Sequence, residues 1–378
     1  MHWASAVSQF PEADRALTEV LTVLNERLAG AAPDLVCLFV SLHHEEAWLS
    51  IGKRLCQAFP GALLFGCTGA SVIGDGRELE DGPGLSVSAA VLPGVRLLPF
   101  HVEDGALPEL PLPEDAHVLL MADPWSSSLE SLLPALDDRF SGTVVGGVAS
   151  AGQQPGRNLL FLGEGTARSG VVCVGLHGDL RLDAVVTQGC RPVGPPLFAT
   201  GCQGNVLYEL DGRRPIDVLN ELFEAASAED QELFRSSLFM GLQMRESQDR
   251  FEPGDFLVRN LVGADEETGA LHVAAEITPG HVVQFHLRDR RAASEDLEKQ
   301  LDRCVSQGGT PRGALLFSCV GRGQWLYGAP DHDSTAFAER VGRVPLAGFF
   351  GNGEIGPVEG RTFLHGYTSA FALFRPKN

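Results

Sequence analysis

The chain has 378 residues, 44% hydrophobic and 21% charged, which is globular composition and too much chain for one ordinary core. A formal net charge of -20 argues against a surface built to neutralise nucleic-acid phosphates or anionic lipid, and points to solubility instead. No stretch approaches the ~20 apolar residues of a membrane span, no basic-then-apolar leader opens the chain, and no two of the eight cysteines form a CxxC pair. The expectation is a cytoplasmic protein with reduced, buried thiols, without membrane insertion and without nucleic acid as a partner.

In chain order, Glu12 to Leu28 carries Ala16, Leu17, Val20, Leu21, Val23, Leu24 and Leu28 at helical spacing. Leu35 to Leu42 reads as a buried strand, His43 to Phe59 as a helix with Glu45 and Glu46 in its first turn, and Gly61 to Cys67 as a second strand. Leu85 to Leu92 and Val95 to Val102 predict a hairpin through Pro93-Gly94. Val118 to Ala122 is a strand, and Ser126 to Ser128 supply a cap for the helix that follows. Further strands are expected at Val144 to Val148, Asn158 to Gly163 and Gly170 to Leu176, with a loop at Arg191 to Pro196. A helical region runs from Pro215 to Leu242, and the polar stretch Arg245 to Asp255 reads as a linker. Strands recur at Phe256 to Leu261, Leu271 to Ala275 and His281 to Leu287. Ser294 is placed to cap a helix to Val305. Ala314 to Cys319 is a strand, Thr335 to Val341 a short helix, and closing strands lie near Pro345 to Phe350 and Phe363 to Phe374. The alternation predicts an α/β fold of mixed sheets with covering helices.

A duplication stands out. Gly61-Ala62-Leu63-Leu64-Phe65-Gly66-Cys67 matches Gly313-Ala314-Leu315-Leu316-Phe317-Ser318-Cys319 at every position but one. A glycine pattern running from Gly66 to Gly74 recurs from Gly348 to Gly356, with a weaker echo from Gly146 to Gly152. Each copy precedes an apolar strand. Glycines clustered at strand ends mark tight turns or close backbone approach, and their bare N–H groups are also able to hold an anion. The repeat predicts two related halves, two packed mixed sheets flanked by helices, and domains at 1–29 (an N-terminal helix), 30–212 and 213–378.

The runs Phe317-Ser318-Cys319-Val320-Gly321-Arg322-Gly323 and Leu346 to Pro357, the closing His365-Gly366-Tyr367-Thr368-Ser369, and Gly66-Cys67-Thr68 with Gly204 to Gly212 in the first half carry a resemblance to the FIST family, the F-box and intracellular signal transduction proteins. The resemblance runs from about residue 30 onward. It implies a non-catalytic small-ligand sensor for which amino acids are suggested ligands, and in some bacterial members haem binding and nitric-oxide sensing. The chain shows no F-box, kinase or cyclase segment, so a signalling role would use a separate partner such as a kinase or cyclase.

The candidate ligand-binding residues are Gly66, Cys67, Thr68, Asn205, Cys319, Gly321, Arg322, Gly323, Gly351, Asn352, Gly353, Glu354 and Tyr367. Arg322, flanked by glycines, suits bidentate contact with a carboxylate; the alternative is an ion pair with one of the many acidic residues. Glu354 suits an ammonium group, and the two together suit a zwitterion if the fold brings them together. Asn352 and Asn205 serve a ligand or the local backbone. Cys319 is a reactive thiol only beside a cation or helix N-terminus, and otherwise a buried structural one, as is Cys67. An enzyme using Cys319 or Glu354 is the remaining alternative. His365 is the candidate axial ligand for haem, against a structural role. Gly351 to Gly356 spells G-x-G-x-x-G, but Pro357-Val358-Glu359-Gly360 follows where a dinucleotide site requires a helix.

Overall fold

The structure is a computed structural model and describes residues 1–244, 251 and 254–377. Two compact units emerge: Met1–Val186 together with Leu297–Asn378, and Thr187–Asp296 between them.

The first unit is built from three copies of one six-strand pattern. Copy one holds β1 (His2–Ser8), α1 (Ala13–Leu28), β2 (Leu35–Ser41), a 3-10 segment (Leu42–Ala47), α2 (Trp48–Ala58), β3 (Leu63–Gly69), β4 (Ser71–Gly74), β5 (Arg77–Leu79) and β6 (Leu85–Val91). Copy two holds β7 (Val95–Val102), β8 (His117–Ala122), α3 (Leu129–Arg139), β9 (Val144–Val148), β10 (Leu160–Leu162), β11 (Gly165–Ala167) and β12 (Val171–Gly178). Copy three opens with β13 (Leu180–Gln188).

The chain then forms the second unit. Its elements are β14 (Cys190–Gln203), β15 (Val206–Leu210), α4 (Pro215–Ala225), α5 (Ala228–Ser236), β16 (Leu238–Gln243), β17 (Phe256–Ala264), β18 (Leu271–Val273) and β19 (Val282–Arg288). The six strands close into a barrel in the order β14-β15-β18-β17-β16-β19, filled by Leu207, Met240, Leu271, Val283 and Phe285. Helix α6 (Arg290–Gly308) leads back to copy three. It resumes with β20 (Gly313–Cys319), α7 (Gln324–Tyr327), α8 (His332–Arg340), β21 (Leu346–Gly351), β22 (Glu354–Val358), β23 (Arg361–His365) and β24 (Thr368–Pro376).

The three sheets of the first unit share one strand order. They read β1-β6-β2-β3-β10-β11, β7-β12-β8-β9-β22-β23 and β13-β24-β20-β21-β4-β5. Each copy therefore contributes four strands to its own sheet and lends its fourth and fifth to another copy's sheet. Copy one lends to copy three, two to one, and three to two, so the exchange closes on itself. The pairs β2·β3, β8·β9 and β20·β21 are parallel, joined by the helical crossovers a parallel pair requires. Buried on both faces, these strands read as the continuous apolar runs seen in the sequence.

One glycine recurs where the copies superpose by register. Gly66, Gly146 and Gly348 face Leu38, Leu120 and Leu316. A Cβ at these positions would lie 1.8, 1.9 and 1.8 Å from the opposing carbonyl oxygen, so no other residue fits without backbone movement. The inner faces of all three sheets meet in one core containing Phe39, Phe65, Met121, Val145, Phe317 and Phe349. Phe39, Phe317 and Phe349 pack with ring centroids 5.3 to 6.3 Å apart. The outer faces are covered by α1 and α2, by α3, and by α6 with α8.

Several sequence expectations change. A strand, β1, precedes the N-terminal helix. The expected hairpin does not form: β6 pairs with β1 and β2, while β7 pairs with β12 in another sheet, because the sheet edge each needs lies in its own copy. Residues 191–196 lie inside β14, where Pro195 and Pro196 fall in the register shift between Val193 and Leu197 against β19. The expected helix from 215 to 242 is two helices followed by β16. Ser128 takes the N-cap position of α3 without a side-chain cap, and Ser126 Oγ donates instead to Asp123. Ser294 sits within α6, its Oγ donating to Arg290 O at 3.0 Å. The expected linker at 245–255 lies largely outside the described residues. Among the described residues no helix is long and apolar enough to cross a membrane.

Candidate functional site

The glycine turns of the three copies converge. Strand β4 runs antiparallel to β21, pairing Ser71 with Phe350. Ser150, in the middle copy of the glycine pattern, ties the others together: its Oγ accepts from Ala70 N at 2.8 Å and donates to Phe350 O, and its N–H donates to Thr68 O at 3.3 Å. Asn352 Nδ2 donates to Ala149 O at 3.1 Å, and Val320 N donates to Gly351 O at 3.0 Å. Gly66 to Thr68, Gly321 to Gly323 and Gly351 to Glu354 are thus neighbours although separated widely in the chain.

At this junction copy three holds a buried polar cluster. The Arg322 guanidinium is fully buried and clasps Asp333, with Nε donating to Oδ2 at 3.0 Å and Nη2 donating to Oδ1 at 3.1 Å. Asp333 also accepts from Ser318 Oγ at 3.1 Å and from Ser369 Oγ. Tyr327, stacked on His332 with centroids 3.4 Å apart, receives an Arg322 Nη2 hydrogen bond on its hydroxyl. Burial opposes ionisation of Asp333, but the Arg322 charge and these hydrogen bonds hold its carboxyl well below the usual range.

Two further carboxyls complete the cluster. Glu354 opens β22 and is fully buried; its Oε2 accepts from Thr368 N at 3.2 Å and Thr368 Oγ1 at 2.7 Å. Burial raises its pKa to about 8; the Thr368 hydrogen bonds and the Arg322 charge offset part of that effect, and Asp333 adds to it. Glu78, lent by copy one on β5, accepts Ser334 N at 2.7 Å and Ser334 Oγ at 2.9 Å on Oε1. Burial and the Asp333 charge push it to about 8. Each of these groups keeps one unsatisfied buried atom: Arg322 Nη1, Glu354 Oε1 and Glu78 Oε2 have no hydrogen-bond partner. A donor and two acceptors left bare in one cluster is costly unless something pairs with them.

The turn that carries Arg322 also walls a cleft of about 430 Å³ lined by His43, Ala70, Ser71, Glu80, Asp81, Val320, Trp325 and Phe350. Glu80 fixes the turn, accepting the Gln324 N–H at 2.9 Å on both oxygens.

The remaining sequence candidates fall into distinct places. Gly66, Cys67 and Thr68 are buried in packing: Thr68 Oγ1 accepts from Leu159 N at 3.0 Å, and Cys67 Sγ contacts Met121 Sδ at 3.8 Å. Cys319 is buried in the cluster; burial and the Glu354 charge push its thiol up to about 12, the direction opposite to that of an activated nucleophile. Tyr367 takes a left-handed backbone, φ 64°, beside Cys319. Asn352 spends its amide on Ala149 O. Asn205 belongs to the barrel unit, where its Nδ2 donates to Val273 O at 3.3 Å. His365 is 3% exposed with Nε2 placed 3.0 Å from Gly356 O, and it lines neither described cavity. With Nε2 directed at a main-chain carbonyl, that nitrogen is not free to serve as an axial haem ligand. Asp333, Glu78, Ser318 and Ser369 were not singled out from the sequence. The spacing Arg322 to Asp333 across a helix start was the one available signal.

The chain matches the FIST N domain over residues 34–213 and the FIST C domain over residues 215–357. An uncharacterized protein of Mycobacterium tuberculosis is 38% identical over 378 residues, covering 97% of this chain and 98% of its own length. An uncharacterized protein of Mycobacterium bovis is 36% identical over 375 residues, covering 96% of each. An F-box/LRR-repeat protein of Arabidopsis thaliana is 26% identical over 218 residues, covering 52% of this chain and 40% of its own length. With two adjoining domain matches that take in both the three-sheet unit and the barrel, the chain belongs to the FIST family.

Proposed function

We propose that the chain is a non-catalytic sensory protein that binds an amino acid or related metabolite at the third copy's polar cluster. FIST domains are sensory domains of signal transduction, which supplies the coarse role. The observation that carries the ligand class is the set of bare buried atoms: Arg322 Nη1 offers a donor for a carboxylate, and Glu354 Oε1 and Glu78 Oε2 offer acceptors for an ammonium group. Arg322 is already paired with Asp333, so it contributes one directed hydrogen bond rather than a free charge. A separate signalling protein would read the state of the exposed turn that closes the cluster, where Trp325 is 84% exposed.

A thermal-shift panel of amino acids and related metabolites tests this reading. A ligand at a hundredfold excess over its Kd stabilises by about 2.7 kcal/mol, enough to raise the Tm by several degrees. Glu354→Gln keeps the size of the side chain, removes its ability to become a carboxylate, and should lose the ligand-induced rise. No shift from any member of the panel would refute the reading.

A further inference from the structure

The cleft walled by the turn that carries Arg322 has a chemistry of its own. Its apolar wall includes Trp325, Val320 and Phe350, with Trp325 84% and Val320 40% exposed. Its polar wall includes Glu80 and Asp81, and His43 is the other titratable group of the lining. No salt bridge reaches either carboxylate among the described residues, and the buried Arg322 of the adjoining turn is already clasped by Asp333. Glu80 is held in place by the Gln324 N–H and lies directly against Gly323, where a Cβ would fall 2.4 Å from Glu80 Oε2. Burial raises the Glu80 pKa, and the charges of Asp81, Asp331 and Asp333 add to that, which marks a region of uncompensated negative charge.

A held carboxylate, Glu80, and the exposed Asp81 beside an open indole face form a surface for an organic cation: the carboxylates attract the charge and the indole receives it over its π face. A neutral or anionic ligand gains nothing from the first feature and is repelled if anionic. We infer that the cleft receives an ammonium or guanidinium group carried on an apolar chain, so that the sensed amino acid is a basic one. This rests on the sensor reading and narrows it: the α-amino and α-carboxylate groups belong to the cluster, and the side-chain cation belongs to the cleft.

Titration calorimetry with L-ornithine, L-norvaline and 1,4-diaminobutane separates the two ideas. L-Norvaline has the ornithine chain without its terminal amine, and 1,4-diaminobutane lacks the carboxylate. L-Ornithine should bind at least about tenfold more tightly than L-norvaline, and its affinity should fall with added salt. Asp81→Asn, at an exposed position, should weaken L-ornithine about three- to tenfold and leave L-norvaline unchanged. Trp325→Ala should weaken L-ornithine about two- to fivefold. L-Norvaline binding as tightly as L-ornithine would overturn the cation inference while leaving the sensor reading intact. 1,4-Diaminobutane binding as tightly as L-ornithine would support the cleft and remove the carboxylate role of Arg322. Binding of none of the three, with no response from any amino acid in the wider panel, would overturn both.

Discussion

The three copies of the strand pattern share a backbone and differ in what they bury at equivalent positions. Where copy three places Ser318 on its second strand, copies one and two place Val40 and Ala122. Where it places Ser369 on its last strand, they place Leu85 and Val171. Where it places Glu354 on the lent fourth strand, they place Val72 and Leu160. Copy two does carry a buried acid at a strand end, Asp123, but both of its oxygens have partners: Oδ2 takes Trp125 N at 3.1 Å and Ser126 Oγ at 2.6 Å, and Oδ1 takes Asn158 Nδ2 at 3.3 Å. The polar groups of copy two are satisfied and structural. Those of copy three leave atoms bare. The symmetry thus supplies a rigid frame, and function is assigned to the copy that departs from it.

The sharpest way to break this contrast is to remove one acid from each cluster. Asp333→Ala leaves the Arg322 charge buried without its partner and should cost about 3–5 kcal/mol in chemical denaturation. Asp123→Ala strands only neutral donors and should cost about 1–3 kcal/mol. Equal losses would mean that the Arg322–Asp333 pair is not the special feature of copy three. Symmetry itself is tested by Gly66→Ala, Gly146→Ala and Gly348→Ala. Each forces a Cβ against a main-chain oxygen and should cost about 1–3 kcal/mol or more, with similar values at all three.

Much of the frame was readable in the sequence. The parallel strand pairs appear as apolar runs, and the match of Gly61 to Cys67 with Gly313 to Cys319 marks β3 and β20 as related strands, although they occupy different places in their copies. The weak echo at Gly146 to Gly152 belongs to copy two, and the apolar strand following each glycine pattern is β6, β12 or β24. The exchange of fourth and fifth strands was not readable, because a short strand such as Arg77-Glu78-Leu79 carries no sign of which sheet it joins. That exchange is what delivers Glu78 to copy three. Arg322 and Glu354 drew attention through their glycine neighbours. Asp333 and Glu78 did not, since in sequence each looks like an ordinary surface acid, and only the fold buries them.

The pH dependence separates the copies further. Glu354 and Glu78 hold protons more tightly folded, with pKa about 8, than at their ordinary value of 4.5. The folded state therefore binds more protons between these values, and their contribution to stability declines as pH rises from about 4.5 to about 8, then levels off. Asp333 is shifted the opposite way, and its contribution is lost only in acid below that window. Denaturation midpoints measured from pH 5 to 8 should show a shallower decline in Glu354→Gln and in Glu78→Gln than in the native chain. The smallest effect is expected at the surface: Trp325→Ala should alter stability by less than about 0.5 kcal/mol, because the indole is 84% exposed.

The most direct measurement is a crystal structure of the protein grown with whichever amino acid gives the largest thermal shift. The ligand should occupy the third copy, its carboxylate on Arg322 Nη1 and its amino group on Glu354 Oε1. Ligand seated instead in the other cavity of about 430 Å³, beside Lys53 and Phe161, with the Arg322 cluster unchanged, would contradict the assignment.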